Sequence, residues 1–322
     1  ANVLNRGDKV LILESGRFAV GWGEMATVMG IVPELLSGDW RRAVDPAAVE
    51  ARLRADSDGA IKAVLVVQVD TASGVINDIP AIRAAMDAAG HDALLMVDVI
   101  ASLACVPFTM DAWGVDVAVG GSQKGLMTPP GLAFNAAGEK AMAVHRRGTD
   151  LGSHYWDWTA RDGEQHYNKY CGTPPEHMLF GLRKALDILL EEGLENVFQR
   201  HRLLAEATRR AVDVWSRGQA FGFNITEPDE RADSITCVRM SEGFEPGPLL
   251  KYCQSKCGVT VGVGIGGLTG KAFRIAHMGH VNAPMMFGTL AVLEQGLGAL
   301  GMPHGSGGVQ AAIEYLAGAV PA

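Results

Sequence analysis

Short apolar runs alternate with amphipathic stretches between Lys9 and Phe134, and this alternation restricts the possible folds more than any other feature of the chain. Strands that alternate with helical patterns form βαβ units, in which the strands run parallel and helices cover both faces of the sheet. The sequence therefore predicts an α/β fold with a mainly parallel sheet. The expected strands are Lys9 to Glu14, Ala63 to Gln68, Ala93 to Asp98, Val115 to Val119 and Leu132 to Phe134.

The second half of the chain has a different pattern. A polar, aromatic loop from Arg146 to Thr173 interrupts the periodicity, and long loops of this kind are candidates for functional sites. A smaller α/β pattern follows, so we expect a large domain over residues 1–193 and a small C-terminal domain over residues 194–322. The expected helices are Pro46 to Ala55, Ile79 to Ala89, Glu176 to Glu192 and Leu194 to about Arg217, and the expected small-domain strands lie near Ser234 to Arg239 and Ala272 to Ala276.

Charge and composition exclude several classes of partner. The net charge of -8 opposes binding to nucleic acid, which needs clustered cations. The sequence has no run of about 18 apolar residues that would predict a membrane span, and the first residues lack the pattern of a signal peptide. The five cysteines form no Cys-x-x-Cys pair, and the Cys253 and Cys257 spacing lacks a second ligand pair. We therefore expect a cytoplasmic protein with reduced thiols and no metal.

The strongest chemical signal is a lysine just past the end of an apolar strand. Lys124 follows the run that ends in Gly120 and Gly121, and a second apolar strand ends in Asp98. Ligands bind at the carboxyl ends of strands in open α/β sheets, so both side chains are expected on one rim. Pyridoxal phosphate needs such a pair, because a lysine holds its aldehyde as a Schiff base while a carboxylate keeps its ring nitrogen protonated. Either residue alone is more often a loop or turn residue.

The segments around this pair resemble the class V aminotransferases of fold type I, within the serine-glyoxylate and alanine-glyoxylate aminotransferase branch. The likeness extends over essentially the whole chain. It implies a homodimer that shares its active sites and transfers amino groups from serine, alanine or aspartate to glyoxylate or a similar 2-oxo acid. The segments that carry it are Ser122-Gln123-Lys124-Gly125, Pro129-Pro130-Gly131-Leu132, Trp156-Asp157-Trp158 and Arg274-Ile275-Ala276-His277-Met278-Gly279.

The resemblance also implies a role for individual residues. Lys124 would carry the cofactor and transfer protons, and Asp98 would pair with the ring nitrogen. Arg274 would bind the substrate carboxylate through its planar guanidinium, although alone it would be read as a surface ion pair. The remaining cofactor contacts would come from Ile100 and Trp22 on the two ring faces, from Thr71 and Gln123, and from Tyr170 and Thr173 toward the partner subunit's phosphate.

Two features depart from the family pattern. The family has a Ser/Gly-rich segment that binds the cofactor phosphate at a helix N-terminus, and this sequence shows none. We expect that segment to precede Asn2 in a longer natural protein, the alternative being a truncated relative that binds the cofactor weakly. The branch commonly has His and Glu where Gln68 and Asp70 stand, which leaves the substrate more open than the reaction type.

Other functions remain as alternatives at this point. The glycines of Gly262 to Gly267 suggest a nicotinamide dehydrogenase only weakly, since no apolar helix follows them. Ser122 lacks the final glycine of a serine-hydrolase elbow. A non-catalytic relative, a lyase, or a desulfurase using Cys171 shares the fold. A pyridoxamine-pyruvate transaminase is closer, because Asp70 to Gly74 is compatible with that relative.

Overall fold

The computed structural model describes residues 1–320, and twelve β-strands lie in that range. Six of them form a large sheet in the order β2-β1-β3-β6-β7-β8, in which every neighbouring pair is parallel except β7 and β8. The sheet is therefore mainly parallel, as the sequence predicts. The strands are β1 (Lys9–Leu13), β2 (Val32–Leu36), β3 (Ile61–Val67), β4 (Val69–Asp70), β5 (Val75–Ile76), β6 (Leu94–Asp98), β7 (Val117–Gly121), β8 (Ala133–Ala137), β9 (Phe221–Phe223), β10 (Ile235–Met240), β11 (Gly262–Val263) and β12 (Ala272–Ala276).

Eleven α-helices lie in the same described range. Two crossover helices begin at a capping carboxylate with a proline among the first two helical residues: Asp45 accepts from Ala47 N–H, and Asp78 accepts from Ala81 N–H. Both helices end within one residue of the predicted position. The helices are α1 (Arg17–Val28), α2 (Pro46–Arg54), α3 (Ile79–Ala88), α4 (Glu139–Arg146), α5 (Trp158–Arg161), α6 (His166–Lys169), α7 (Glu176–Glu192), α8 (Leu194–Ser216), α9 (Gly247–Cys257), α10 (Ala283–Ala299) and α11 (Gly308–Ala319).

Apolar side chains cover both faces of the large sheet. Leu11 and Leu13 pack on one face with residues of α2 and α3, whereas Val10 and Ile12 pack on the other face with residues of α1. Alternate residues of a strand point to opposite faces, so burial on both sides produces the continuous apolar runs seen in the sequence. This packing fixes β6 and β7 side by side, with their carboxyl ends at one rim.

A second sheet, in the order β11-β12-β10-β9, is antiparallel throughout. Its core includes the buried side chains of Trp215, Phe273 and Leu290, and the residues of this core all come from the chain after α7. Gly193, with φ 82°, separates α7 from α8. The domain division at Gly193, into residues 1–193 and 194–322, stays a prediction.

Some elements were not evident in the sequence. β2 contains Pro33 and is only half-buried, which suits an edge strand, because proline cannot donate to a neighbour. The expected loop from Arg146 to Thr173 includes the short helices α5 and α6. Between residues 1 and 320, no helix combines the length and apolar character needed to cross a membrane.

Candidate active site

The carboxyl ends of β6 and β7 bring the two predicted catalytic residues to one rim. Asp98 is the last residue of β6 and pairs in register with Val119 of β7, and Lys124 follows three residues after β7 ends. The Asp98 Oδ1 atom accepts a hydrogen bond of 2.8 Å from the Ile100 N–H. Among the described residues, no donor contacts the second oxygen of this carboxylate, so that oxygen is available to a ligand.

The loop between β7 and β8, residues 122–132, carries Lys124 and is called the lysine loop. It packs directly against the turn that follows Asp98. A Cβ atom on Gly125 would lie 2.1 Å from the Leu103 carbonyl oxygen and 2.9 Å from Cys105 Sγ, distances that no side chain can occupy. Glycine is therefore required at position 125. The Met127 N–H also donates to the Lys124 carbonyl at 3.0 Å, so the backbone that follows the lysine is held in place.

Ser122 has a structural role in the same loop. Its hydroxyl donates to the Pro129 carbonyl at 2.9 Å, and the Leu132 N–H contacts the hydroxyl oxygen at 3.3 Å. The side chain is fully buried. It therefore closes the loop between β7 and β8 and is not placed as an exposed nucleophile, which removes the support for a serine hydrolase.

Burial changes the protonation of both residues. It raises the pKa of Asp98 to about 6; the negative charge of Asp70 raises it further, while the Ile100 hydrogen bond and Lys124 oppose the change. Burial likewise lowers the pKa of Lys124, and the nearby Arg274 charge has the same effect. A larger fraction of the lysine is therefore neutral and nucleophilic than for a lysine in water.

The Asp98 environment predicts a stability difference in the cofactor-free protein. An acid whose pKa is raised in the folded state stabilises the fold below its ordinary value of 3.8 and loses that contribution as the pH rises through about 6. Asparagine has no charge at any pH in this range, so Asp98→Asn does not lose stability as the pH rises. We expect the variant to unfold with a free energy about 3 kcal/mol higher than wild type at pH 7.5.

Urea unfolding of the two cofactor-free proteins at pH 7.5 and pH 4 measures this difference. The gap should shrink toward zero at pH 4, because Asp98 is then protonated in wild type as well. A variant less stable than wild type at pH 7.5 would show that the charged carboxylate is not disfavoured by the fold.

Arg274, on β12, reaches the same rim from the second sheet. Its Nε donates to the Val263 carbonyl at 2.7 Å, and its Nη1 donates to the Thr71 carbonyl at 2.9 Å. The two carbonyls fix the plane of the guanidinium while leaving N–H groups that can bind a carboxylate in a bidentate manner. Thr71 itself is buried in the turn between β4 and β5.

Ile100 and Gln123 border the end of β7. A Cβ atom on Gly121 would lie 3.5 Å from Ile100 Cγ2 and 2.9 Å from Gln123 Oε1, so the absence of a side chain leaves space between these two residues and the strand. Both residues therefore lie at the rim with Asp98 and Lys124. Their individual contacts with a cofactor stay predictions.

The two aromatic residues of α1, Phe18 and Trp22, lie in different surroundings. Trp22 packs against the apolar cluster that includes Ile12 and Leu65. Phe18, one turn earlier, is 44% exposed, and its N–H donates to Asp70 Oδ2 at 3.0 Å. The sequence pattern did not single out Phe18, which is the second residue of α1, two positions after Gly16.

Tyr170 and Thr173 lie in the segment that contains α5 and α6. Thr173 is exposed and Tyr170 is half-buried. This segment contacts the first residues of the chain, since the Asn2 side chain donates to the Trp156 carbonyl at 2.9 Å. Across residues 1–320 no hydrogen bond joins Tyr170 or Thr173 to Lys124, and their role toward a partner subunit's cofactor stays a prediction.

The residues at this rim fit pyridoxal phosphate. Asp98 is a largely buried carboxylate with one oxygen open to a ligand, which is the group that a protonated ring nitrogen requires. Lys124 is a half-buried amine with a lowered pKa, as required for covalent attachment of an aldehyde. The glycine-rich turn of Gly262 to Gly267 forms β11 and a short 3₁₀ turn instead of opening an α-helix, so it lacks the form of a dinucleotide site.

Comparisons with known proteins identify the family of the chain. The family described as Aminotransferase class-V matches residues 1–277. A serine–glyoxylate aminotransferase of Methylorubrum extorquens is 39% identical over 98% of this chain and 79% of its own length. An L-aspartate–glyoxylate aminotransferase of Paracoccus denitrificans is 38% identical over 98% of this chain and 78% of its own length.

Solved structures show the same fold. The pyridoxamine-pyruvate aminotransferase of Mesorhizobium loti superimposes with a TM-score of 0.88 at 28% identity, covering 99% of this chain and 81% of that protein. The mainly parallel sheet, the lysine loop and the second sheet are therefore those of a fold type I transferase. The chain belongs to the class-V aminotransferases, and it is a pyridoxal-phosphate enzyme.

Proposed function

We propose that this enzyme transfers the amino group of a small amino acid, such as serine, alanine or aspartate, to glyoxylate or a similar 2-oxo acid. The observation that carries the proposal is the convergence of Lys124, Asp98 and Arg274 at one rim. The names of the relatives support the substrates, since one uses serine with glyoxylate and another uses L-aspartate with glyoxylate.

Each of the three residues has a distinct task in such a transfer. Bound pyridoxal phosphate supplies an electron sink for the charge left at the substrate Cα when its proton is removed. Asp98 holds a proton on the ring nitrogen, and Lys124 Nζ accepts the proton from Cα. Arg274 clasps the substrate carboxylate and so fixes which bond of Cα faces the lysine.

The further cofactor contacts are part of this proposal. Ile100 and Gln123 support it by bordering the same space at the end of β7. The Thr71 carbonyl accepts a hydrogen bond from Arg274, so Thr71 lies beside the proposed carboxylate site. We keep Trp22 as a candidate for the ring face and add Phe18, because its side chain is 44% exposed and its backbone N–H donates to Asp70, whose charge acts on Asp98.

We also propose a homodimer in the cytoplasm, with Tyr170 and Thr173 reaching the partner's cofactor. Large apolar side chains on α7 and α1 support an interface, since Phe180 and Val28 are among the most exposed hydrophobic residues of the described chain. The net charge of -8 opposes nucleic acid as a partner.

A second candidate is pyridoxamine-pyruvate transamination. The structural likeness to the Mesorhizobium loti enzyme favours it. The two candidates differ in the amino donor. Pyridoxamine carries no carboxylate, so Arg274 would then bind only the carboxylate of the 2-oxo acid.

Absorption spectroscopy of the purified protein loaded with pyridoxal phosphate tests the proposal. Serine should bleach the visible band of the lysine-bound cofactor, and glyoxylate should restore it, with serine's 2-oxo acid and glycine as products. Turnover of pyridoxamine with pyruvate, and no response to serine, alanine or aspartate, would favour the second candidate instead. A stable visible band that no amino donor changes would contradict both.

A further inference from the structure

Asp70 is a buried carboxylate that the proposed chemistry does not use. It ends β4, and its side chain is fully buried. Its Oδ2 accepts from the Phe18 N–H at 3.0 Å and from the Ala19 N–H at 3.1 Å, while its Oδ1 accepts from the Ala72 N–H at 3.0 Å. One carboxylate therefore joins the first turn of α1 to the turn between β4 and β5.

The surrounding chain is built to receive this carboxylate. A Cβ atom on Gly16 would lie 2.3 Å from the Asp70 carboxyl carbon, so only glycine leaves the required space before α1. Burial raises the pKa of Asp70, while the three N–H groups and the positive charge of Arg274 oppose that effect. The start of a helix also favours a negative charge, because its N–H groups are unpaired and its dipole is positive there.

The turn held by Asp70 is the one that holds Arg274. Thr71 directly follows Asp70, and its carbonyl accepts from Arg274 Nη1 at 2.9 Å. The Gly74 N–H donates to the Asp70 carbonyl at 2.9 Å, so the turn closes on Asp70 from both its side chain and its backbone. The direction of the Thr71 carbonyl therefore depends on the hydrogen bonds that hold the Asp70 carboxylate in place.

We propose that Asp70 is a positioning residue for the substrate carboxylate: it anchors the Thr71 turn to α1 and thereby aims the Arg274 guanidinium. The inference rests on the proposed function, because it assigns Arg274 to a carboxylate of the substrate. Asp70 touches neither the substrate nor the reacting atoms. Its effect on binding of the substrate carboxylate is exerted through Thr71 and Arg274.

A comparison of two amino donors separates this role from simple support of the fold. Serine has a carboxylate for Arg274, and ethanolamine is the same molecule without it. In single-turnover measurements on the loaded enzyme, Asp70→Asn should lower the rate constant at limiting serine by about 10- to 100-fold, as for a lost charged hydrogen bond. The slower reaction of ethanolamine should change by less than about twofold, because it makes no use of Arg274.

A double substitution tests whether Asp70 acts through Arg274. Arg274→Gln should show the same selectivity against serine, and adding Asp70→Asn to it should cause almost no further loss, because the two changes remove one interaction. Equal losses for serine and ethanolamine, or losses that multiply in the double variant, would overturn the proposal. Gly16→Ala supplies an independent variant, since it displaces the carboxylate without removing its charge.

A matched control is available in α2. Asp45 caps α2 through the Ala47 N–H, and no hydrogen bond within the described residues joins its side chain to Thr71 or Arg274, so Asp45→Asn should leave both donors unaffected. Calorimetry of the cofactor-free protein with oxamate, an unreactive analogue of a 2-oxo acid, gives a reading that does not depend on turnover. Binding should weaken about tenfold in Asp70→Asn and Arg274→Gln alike, and unchanged binding in Asp70→Asn would contradict the inference even if serine proves not to be a substrate.

Discussion

Lys124→Ala is expected to lose the visible absorption band of the bound cofactor and to lower the rate of amino transfer by about 10⁴-fold. The residue is the only lysine that the rim of the large sheet brings beside Asp98 within the described part of the chain. In the proposed function its amine both holds the cofactor and moves the substrate proton, so one substitution would remove two functions. The loss should therefore exceed that from any other single change at this rim.

The measurement is a spectrum and a rate for each purified, loaded variant. Lys251→Ala is a suitable control, because Lys251 is an exposed residue of α9, in the second half of the chain. It should keep the band and the wild-type rate. A persistent band in Lys124→Ala, sensitive to serine, would show that another amine holds the cofactor.

Asp98→Asn is expected to lower the rate by about 10²- to 10³-fold, the range for loss of one preorganised electrostatic partner. In the proposed function the carboxylate keeps a proton on the cofactor ring nitrogen, and an amide of the same size cannot supply the charge that this requires. The covalent link to Lys124 should remain. The visible band is therefore expected to persist while its bleaching by serine becomes slow.

Stopped-flow measurement of that bleaching gives the rate, and Asp87→Asn serves as control because Asp87 is an exposed residue of α3. A rate within tenfold of wild type in Asp98→Asn would remove Asp98 from its assigned task. If the expected loss of rate is found, Asp98→Asn would be more stable than wild type in the cofactor-free form and a poorer catalyst in the loaded form. Such a trade-off between stability and activity is known for active sites that hold buried charges.

The sequence contained enough information to predict the sheet and its rim. The strands that end in Asp98 and Gly121 are continuous apolar runs, and such runs signal burial on both faces. The position of Lys124 followed from the rule that ligands bind at the carboxyl ends of parallel strands. The family resemblance supplied the identity of the reaction.

The contacts between distant segments could not be predicted in the same way. Asp70 meets the backbone of Phe18 across 52 positions of sequence, and Arg274 meets Thr71 across 203. Neither contact leaves a periodic pattern in the chain, because each joins a side chain to a backbone group. The exposed position of Phe18 and the packing of Trp22 likewise depend on where α1 lies against the sheet.

The close contact between Gly125 and the Leu103 carbonyl also determines where this enzyme can be redesigned. Since the lysine loop and the turn after Asp98 lie against each other without spare volume, libraries that vary these segments would mostly yield unfolded or inactive clones. Val263 offers a better starting point: Arg274 uses only its backbone carbonyl, and its side chain is 57% exposed. Variation of this side chain would leave the backbone contact with Arg274 and the packing of the catalytic rim in place.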